Sequence, residues 1–254
     1  MHKKPLVIAC RGDSENAPEN TLPAFESAIA KGADGIELDV HFSADKKLVV
    51  HHFYNLGSTD NGQGIVSEYP LIELRALDSG SWFNEKYAGI SKPTLGEVLE
   101  TCKGRIRFEI DLKDSSLDFL QAVIQEIEQL DLVGDVELTS AHYPLLTHAK
   151  KLNPKIRTGS FFYEPPDWMP VRLAQKHVLD WAELLNLNVV HLNIVLISPE
   201  FAEQLHRGGF LVHGSNLDTP EHMQRGLELG VDSFSTGQLD TALRVRDNFV
   251  ASQL

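Results

Sequence analysis

Cysteine is nearly absent: Cys10 and Cys102 are the two in 254 residues, far apart and without a CxxC partner. That usage supports neither a disulfide framework nor a thiolate zinc site, and it suits a cytoplasmic setting. Long apolar runs are missing too, since no stretch approaches the roughly 18 residues a membrane span needs. The basic start Met1–Lys4 leads into an apolar run, Pro5 to Cys10, that is too short for a signal h-region, so a first strand is expected there and no membrane anchor. Positive charge is scarce: 23 Lys and Arg stand against 36 Asp and Glu, a formal net charge of -13. Such a field repels nucleic acid and anionic lipid, so an anionic small-molecule substrate needs a local cation or metal. Nothing in the sequence fixes an oligomeric state.

What the chain has is rhythm. Apolar, β-rich runs recur at 6–10, 34–40, 48–52, 106–112, 135–140, 156–162, 188–194, 210–214 and 231–236. Between them, segments such as Thr21–Lys31, Leu117–Leu130, Tyr143–Lys151, Pro199–Arg207 and Pro220–Leu229 carry apolar residues at three- and four-residue spacing. Alternation of this kind predicts a parallel sheet with helical crossovers. Between Val40 and Leu48 the chain is too short for a parallel crossover, which needs about a dozen residues, but long enough for an antiparallel hairpin. Setting 48–52 aside leaves eight strands, the number that closes an α/β (β/α)8 TIM barrel of about this length. The expectation is one domain over 1–254, with a hairpin-containing insertion of about 41–93 after strand two.

In Gly35–Val40, strand alternation places Glu37 and Asp39 on one face and Ile36, Leu38 and Val40 on the other. An isolated pair of this kind reads as an ion pair or a solvated face. A second strand changes that reading, because Arg107, Glu109, Asp111 and Lys113 share a polar face as well. Barrel enzymes work at the C-terminal ends of their strands, so Glu37, Asp39 and Asp111 predict a three-carboxylate site for a hard divalent cation. Lys113 and Arg11 supply positive charge beside it, which suits a phosphate. His52, ending the hairpin strand, is a candidate proton-transfer group near neutral pH.

As an ordered set, APENTLPAFESAIAKGADGIELDV, LVVHH, STDNGQG, LDSGSWF, KPTLGEVLE and IDLK resemble glycerophosphodiester phosphodiesterases, densely over 6–114 and more loosely to LELGVDSFSTGQLD. The resemblance implies a barrel fold, a divalent cation (Mg2+ or Ca2+, with Mn2+ as a third option), and hydrolysis of glycerophosphodiesters to glycerol 3-phosphate and an alcohol. Carried across, Glu37, Asp39 and Asp111 are the metal ligands, with Glu109 as the alternative third; Arg11 and Lys113 contact phosphate, and His52 is one catalytic histidine.

The departures are local. Cys10 stands where the family has its first catalytic histidine, Phe53 where an aspartate follows the second, Ser58 in place of an arginine, and Gly237 in place of the aspartate after Thr236. A thiol with an ordinary pKa of about 8.5 is a poorer proton shuttle than imidazole, and Arg11 with a metal is expected to favour its thiolate. Cys10 therefore reads as part of a changed acid/base pair, as the mark of reduced turnover, or as a small residue in a metal-dependent phosphodiester-binding protein without turnover. A lysophospholipid phosphodiesterase is the remaining alternative, favoured by an apolar mouth near Phe53, Trp82 and Phe83. Cys102 reads as packing, and His142, His148, His177, His206 and His222 as structural or solvated.

Overall fold

In the computed structural model, which describes residues 4–253, the apolar runs become β1 (Leu6–Cys10), β2 (Gly35–Phe42), β3 (Leu48–Val50), β4 (Arg107–Leu112), β5 (Val136–Thr139), β6 (Arg157–Phe162), β7 (Val189–Leu192), β8 (Leu211–Gly214) and β9 (Ser233–Thr236). All nine fall where the sequence predicts them. Eight pair in parallel in the order β1-β9-β8-β7-β6-β5-β4-β2, and a β1–β2 pairing closes the ring into a TIM barrel. The ninth, β3, has a physical reason for being outside it. β1 pairs with only the first half of β2, from Ile8↔Gly35 to Cys10↔Glu37, so the end of β2 runs past its neighbour. β3 covers that free edge antiparallel, from Val40↔Val50 to Phe42↔Leu48, and begins the insertion after strand two.

The helices are α1 (Leu22–Lys31), α2 (Leu71–Arg75), α3 (Leu95–Cys102), α4 (Leu117–Gln129), α5 (Tyr143–Leu152), α6 (Val171–Leu184), α7 (Pro199–Arg207), α8 (Pro220–Glu228) and α9 (Leu239–Ser252). Their starts follow local chemistry. Thr94 and Glu97 form a reciprocal capping box at α3, and the Ser116, Ser198 and Thr219 hydroxyls accept from backbone N–H groups at α4, α7 and α8. Periodicity did not single out α6 or α9. α6 buries mainly small residues, Ala174, Val178 and Ala182, and α9 turns Arg246 inward, where it pairs with Asp34.

Ile36, Leu38, Phe108 and Ile110 pack outward with the helix ring in one large core. The barrel interior is instead polar, with Glu37, Asp39, Glu109, His191 and His213 all buried. The insertion has a small core of its own, Val49, Leu56, Val66 and Leu74. A buried ion pair staples it, with Lys92 Nζ 2.6 Å from Asp60 Oδ2. Among the described residues no helix is long and apolar enough to cross a membrane.

Candidate active site

The site grows from the ends of β1, β2 and β4. In register, Glu37 lies beside Glu109 and Asp39 beside Asp111, so two acidic pairs stack along the inner wall. The turn after β1 folds back over them. Gly12 adopts φ +81°, and a Cβ there would meet the Ala24 backbone at 2.7 Å, so glycine lets the turn lie against α1. Asp13 fastens the same turn, accepting from Asn16 Nδ2 at 3.0 Å and Ser27 Oγ at 2.5 Å.

Glu37, Asp39 and Asp111 each offer an oxygen within 4.8 Å of the other two. Glu109 falls outside this set and groups with His191 and His213 instead. Lys113 Nζ lies 2.9 Å from Asp39 Oδ1 and 2.6 Å from Asp111 Oδ2. Glu37 Oε2 accepts from the Arg11 backbone N–H at 2.9 Å and from the Cys10 thiol at 3.3 Å. The Arg11 side chain reaches Glu19 at 3.1 Å through Nη1 and His52 Nε2 at 2.8 Å through Nη2. Because arginine only donates, His52 Nε2 is the acceptor and its proton sits on Nδ1. That Nδ1 is buried without a hydrogen-bond partner among the described residues. Phe53, at the aspartate's place in the family pattern, packs edge-on against the His52 ring at 4.4 Å and offers it no acceptor.

Burial and the neighbouring acids dominate the electrostatics. Burial, Asp39 and Asp111 push Glu37 up to about 8 against the pull of Arg11 and Lys113. Burial also raises Asp111, offset in part by Lys113. Asp39 feels the same burial, yet Lys113, His52 and Arg11 outweigh it and hold the carboxyl below its usual value. Burial, with Arg11 and Lys113 nearby, carries His52 down to about 4 despite Asp39. The imidazole is therefore neutral at pH 7. At Cys10, burial and Glu37 push the thiol well above the ordinary value, and Arg11 on its own compensates only in part. Cys10 stays a thiol.

These side chains line one cavity of about 390 Å3 together with Phe161, Tyr163, Asn193, Asn216 and His222. The structure thus brings Cys10, Arg11, Glu37, Asp39, His52, Asp111 and Lys113 together. Sequence reasoning missed Asn20, whose Nδ2 donates to Asp39 Oδ2 at 2.8 Å from a backbone at φ +57°. The PENT stretch carried that signal. It also missed Asp218, which accepts from Thr236 Oγ1 and Gly237 N–H at 2.9 Å each. A carboxylate thus reaches the closing strand from the β8 loop, although Gly237 has none.

Acids, two fixed cations and a neutral imidazole meeting at the C-terminal mouth of a parallel barrel define an enzyme that handles phosphate esters. Comparison with known proteins is more specific. A sequence model of the Glycerophosphoryl diester phosphodiesterase family matches residues 11–241. The chain is 35% identical over 247 residues to a glycerophosphodiester phosphodiesterase of Caldanaerobacter subterraneus, covering 95% of this chain and 98% of that protein. It is 31% identical over 252 residues to one of Bacillus altitudinis, covering 95% and 98%. A phosphodiesterase of Oleispira antarctica, solved in complex with the product sn-glycerol-3-phosphate, superposes with a TM-score of 0.84 at 27% identity, covering 96% of this chain and 97% of that one. The chain belongs to the glycerophosphoryl diester phosphodiesterase family.

Proposed function

We propose that this chain hydrolyses glycerophosphodiesters to sn-glycerol 3-phosphate and an alcohol, using a divalent cation held by Glu37, Asp39 and Asp111. The observation that carries the reading is the three-carboxylate cluster, two of its members buried and Asp111 partly so, lining one cavity with Arg11, Lys113 and His52. The residues fit such a cation. All three donors are carboxylates, the set a hard Mg2+ or Ca2+ takes. Asp39, Asp111 and Glu19 already outnumber Lys113 and Arg11, and the same crowding pushes Glu37 up to about 8, so the site holds more acid than its own cations balance. When bound there, the cation supplies Lewis-acid stabilisation of a phosphoryl oxygen.

The chain's own groups do the rest. Arg11 and Lys113 offset charge on the phosphoryl oxygens. As Arg11 turns from His52 to the phosphate it uncovers the Nε2 lone pair. The neutral imidazole takes a proton from the attacking hydroxyl and returns it to the departing alcohol oxygen as its P–O bond breaks. Attack by water leads directly to glycerol 3-phosphate; attack by the neighbouring glycerol hydroxyl leads there through a cyclic phosphate that water then opens. Cys10, protonated and bonded to Glu37, neither accepts that proton nor replaces an imidazole as acid. Turnover is therefore slower than in histidine-bearing relatives. Phe53, packed on the His52 ring and 37% exposed, adds an apolar surface beside the cavity, which favours diesters whose glycerol carries an acyl chain, as in lysophospholipids.

The test is release of glycerol 3-phosphate from glycerophosphocholine and other glycerophosphodiesters, and of lysophosphatidate from a lysophospholipid, with and without Mg2+, Ca2+ or Mn2+. Metal-dependent release supports the reading. No release on any diester, with the same diesters raising the melting temperature, assigns the chain to binding without turnover.

A further inference from the structure

Below the catalytic carboxylates the barrel holds a second cluster that this chemistry does not use. Glu109 pairs in register with Glu137, and His191 pairs with His213 on β7 and β8. The two imidazoles stack 4.2 Å apart. Each is held at one nitrogen, His191 Nε2 at 2.6 Å from Glu137 Oε1 and His213 Nδ1 at 2.9 Å from Ser233 Oγ. The other nitrogens, His191 Nδ1 and His213 Nε2, are buried with no hydrogen-bond partner among the described residues. Both side chains are essentially sealed from solvent, at 0% and 1% exposure. Leaving a buried polar atom unsatisfied is costly, so two in one place call for an occupant.

We propose that Glu109, His191 and His213 form a second cation site, taking Zn2+ or another imidazole-preferring divalent metal, distinct from Glu37, Asp39 and Asp111. The three offer ligand atoms within 4.8 Å of one another. Zinc bonds of roughly 2.0–2.2 Å meeting near the tetrahedral angle set donors about 3.3–3.6 Å apart. Glu109 Oε1 lies 3.6 Å from His191 Nδ1, the nitrogen left without a partner. Glu137 against the far nitrogen of His191 supplies the outer carboxylate that orients a metal-bound imidazole. Gly159 keeps that contact open, because a Cβ there would lie 2.4 Å from Glu137 Oε1 and 2.6 Å from His191 Nε2. An ion has two approaches. Glu109 borders the mouth cavity, and Glu109 and His213 border a hollow of about 630 Å3 at the N-terminal ends of the strands. Donor softness separates the two sites, oxygen alone above and imidazole below.

The full chain, stripped with chelator and returned to excess Mg2+, is titrated with Zn2+, and bound zinc is counted by elemental analysis. One tightly held zinc per chain, a rise in melting temperature with Zn2+, and visible bands of histidine-bound cobalt on Co2+ substitution are expected. His191→Asn weakens zinc at least about 100-fold, judged against the 10–100-fold typical of outer partners alone, while Asp39→Asn leaves it. If His191→Asn does not fold, Glu109→Gln carries the same expectation, and the cobalt spectrum of the unaltered chain stands by itself. Zinc absent from the parent, retained by the folded His191→Asn or Glu109→Gln variant, or lost in Asp39→Asn overturns the assignment, as does cobalt without histidine bands.

Discussion

Replacing Cys10 by histidine probes the reaction at its weakest point. The thiol donates to Glu37 Oε2 at 3.3 Å and borders the cavity, so an imidazole there has a carboxylate to orient it and space to reach substrate. A positioned acid or base contributes about 10²–10⁴-fold, or roughly 2.7–5.4 kcal/mol at 1.36 kcal/mol per decade. Burial and Glu37 push the Cys10 thiol well above its ordinary value, which leaves no thiolate to act as base near pH 7 and makes the thiol a weak acid, so it supplies little of this now. The expected result for Cys10→His is a rise in kcat within that range, with Mg2+ affinity unchanged and a new ionisation in the pH profile. Cys10→Ala is the control and stays within about threefold of the parent, under 1 kcal/mol. The assay is enzyme-coupled detection of glycerol 3-phosphate under saturating diester and metal. Unchanged or lower kcat in Cys10→His, with parental cation affinity, refutes the argument; so does a large loss in Cys10→Ala, which makes the thiol a participant.

Three further outcomes follow from the geometry. Asn20→Ala removes a charge-assisted hydrogen bond to Asp39 and forces alanine to φ +57°; a loss of about 2–4 kcal/mol in urea unfolding is expected, with weaker Mg2+ binding, and Asn20→Gly recovers only the backbone part. Lys92→Met strands the buried Asp60 and costs about 3–5 kcal/mol, much of it regained in Lys92→Met/Asp60→Asn; equal stability of the single and double variants contradicts this. His41 is buried and carried by that burial from 6.5 down to about 4. A depressed histidine binds fewer protons folded than unfolded, so its contribution is intact above about pH 6.5 and is lost as pH falls towards 4. Relative to His41→Gln, the parent should lose up to about 3 kcal/mol between pH 7 and 4, read from unfolding curves at each pH.

The strands were legible because each is a short apolar run with a helix-period segment after it, and β3 was separable because seven residues cannot cross a barrel. α6 and α9 were harder to read, since the stripe of α6 is built of small residues, Ala174, Val178 and Ala182, and that of α9, begun by Leu239 and Ala242, is interrupted by the inward Arg246. Glu37, Asp39, Asp111 and Lys113 announced themselves through period-two alternation on two strands. Asn20 gave no such pattern, because its role depends on a left-handed backbone in a turn. His191 and His213 each look like a single histidine in an apolar quartet, VVHL and LVHG; only the register of β7 against β8 makes them a pair.

The insertion's separate core has a consequence for how the molecule fails. The acids stand on the barrel wall, whereas His52 follows β3 in a segment held by four buried apolar side chains and the Lys92–Asp60 staple. Two units of such different size need not open together. Amide exchange should run faster over 54–77 than over β4, and each brief opening of the smaller unit should part His52 from the acids while the barrel stays shut. Heat or mild denaturant should then silence the chemistry before it melts the fold, leaving a folded barrel with its three carboxylates still in place.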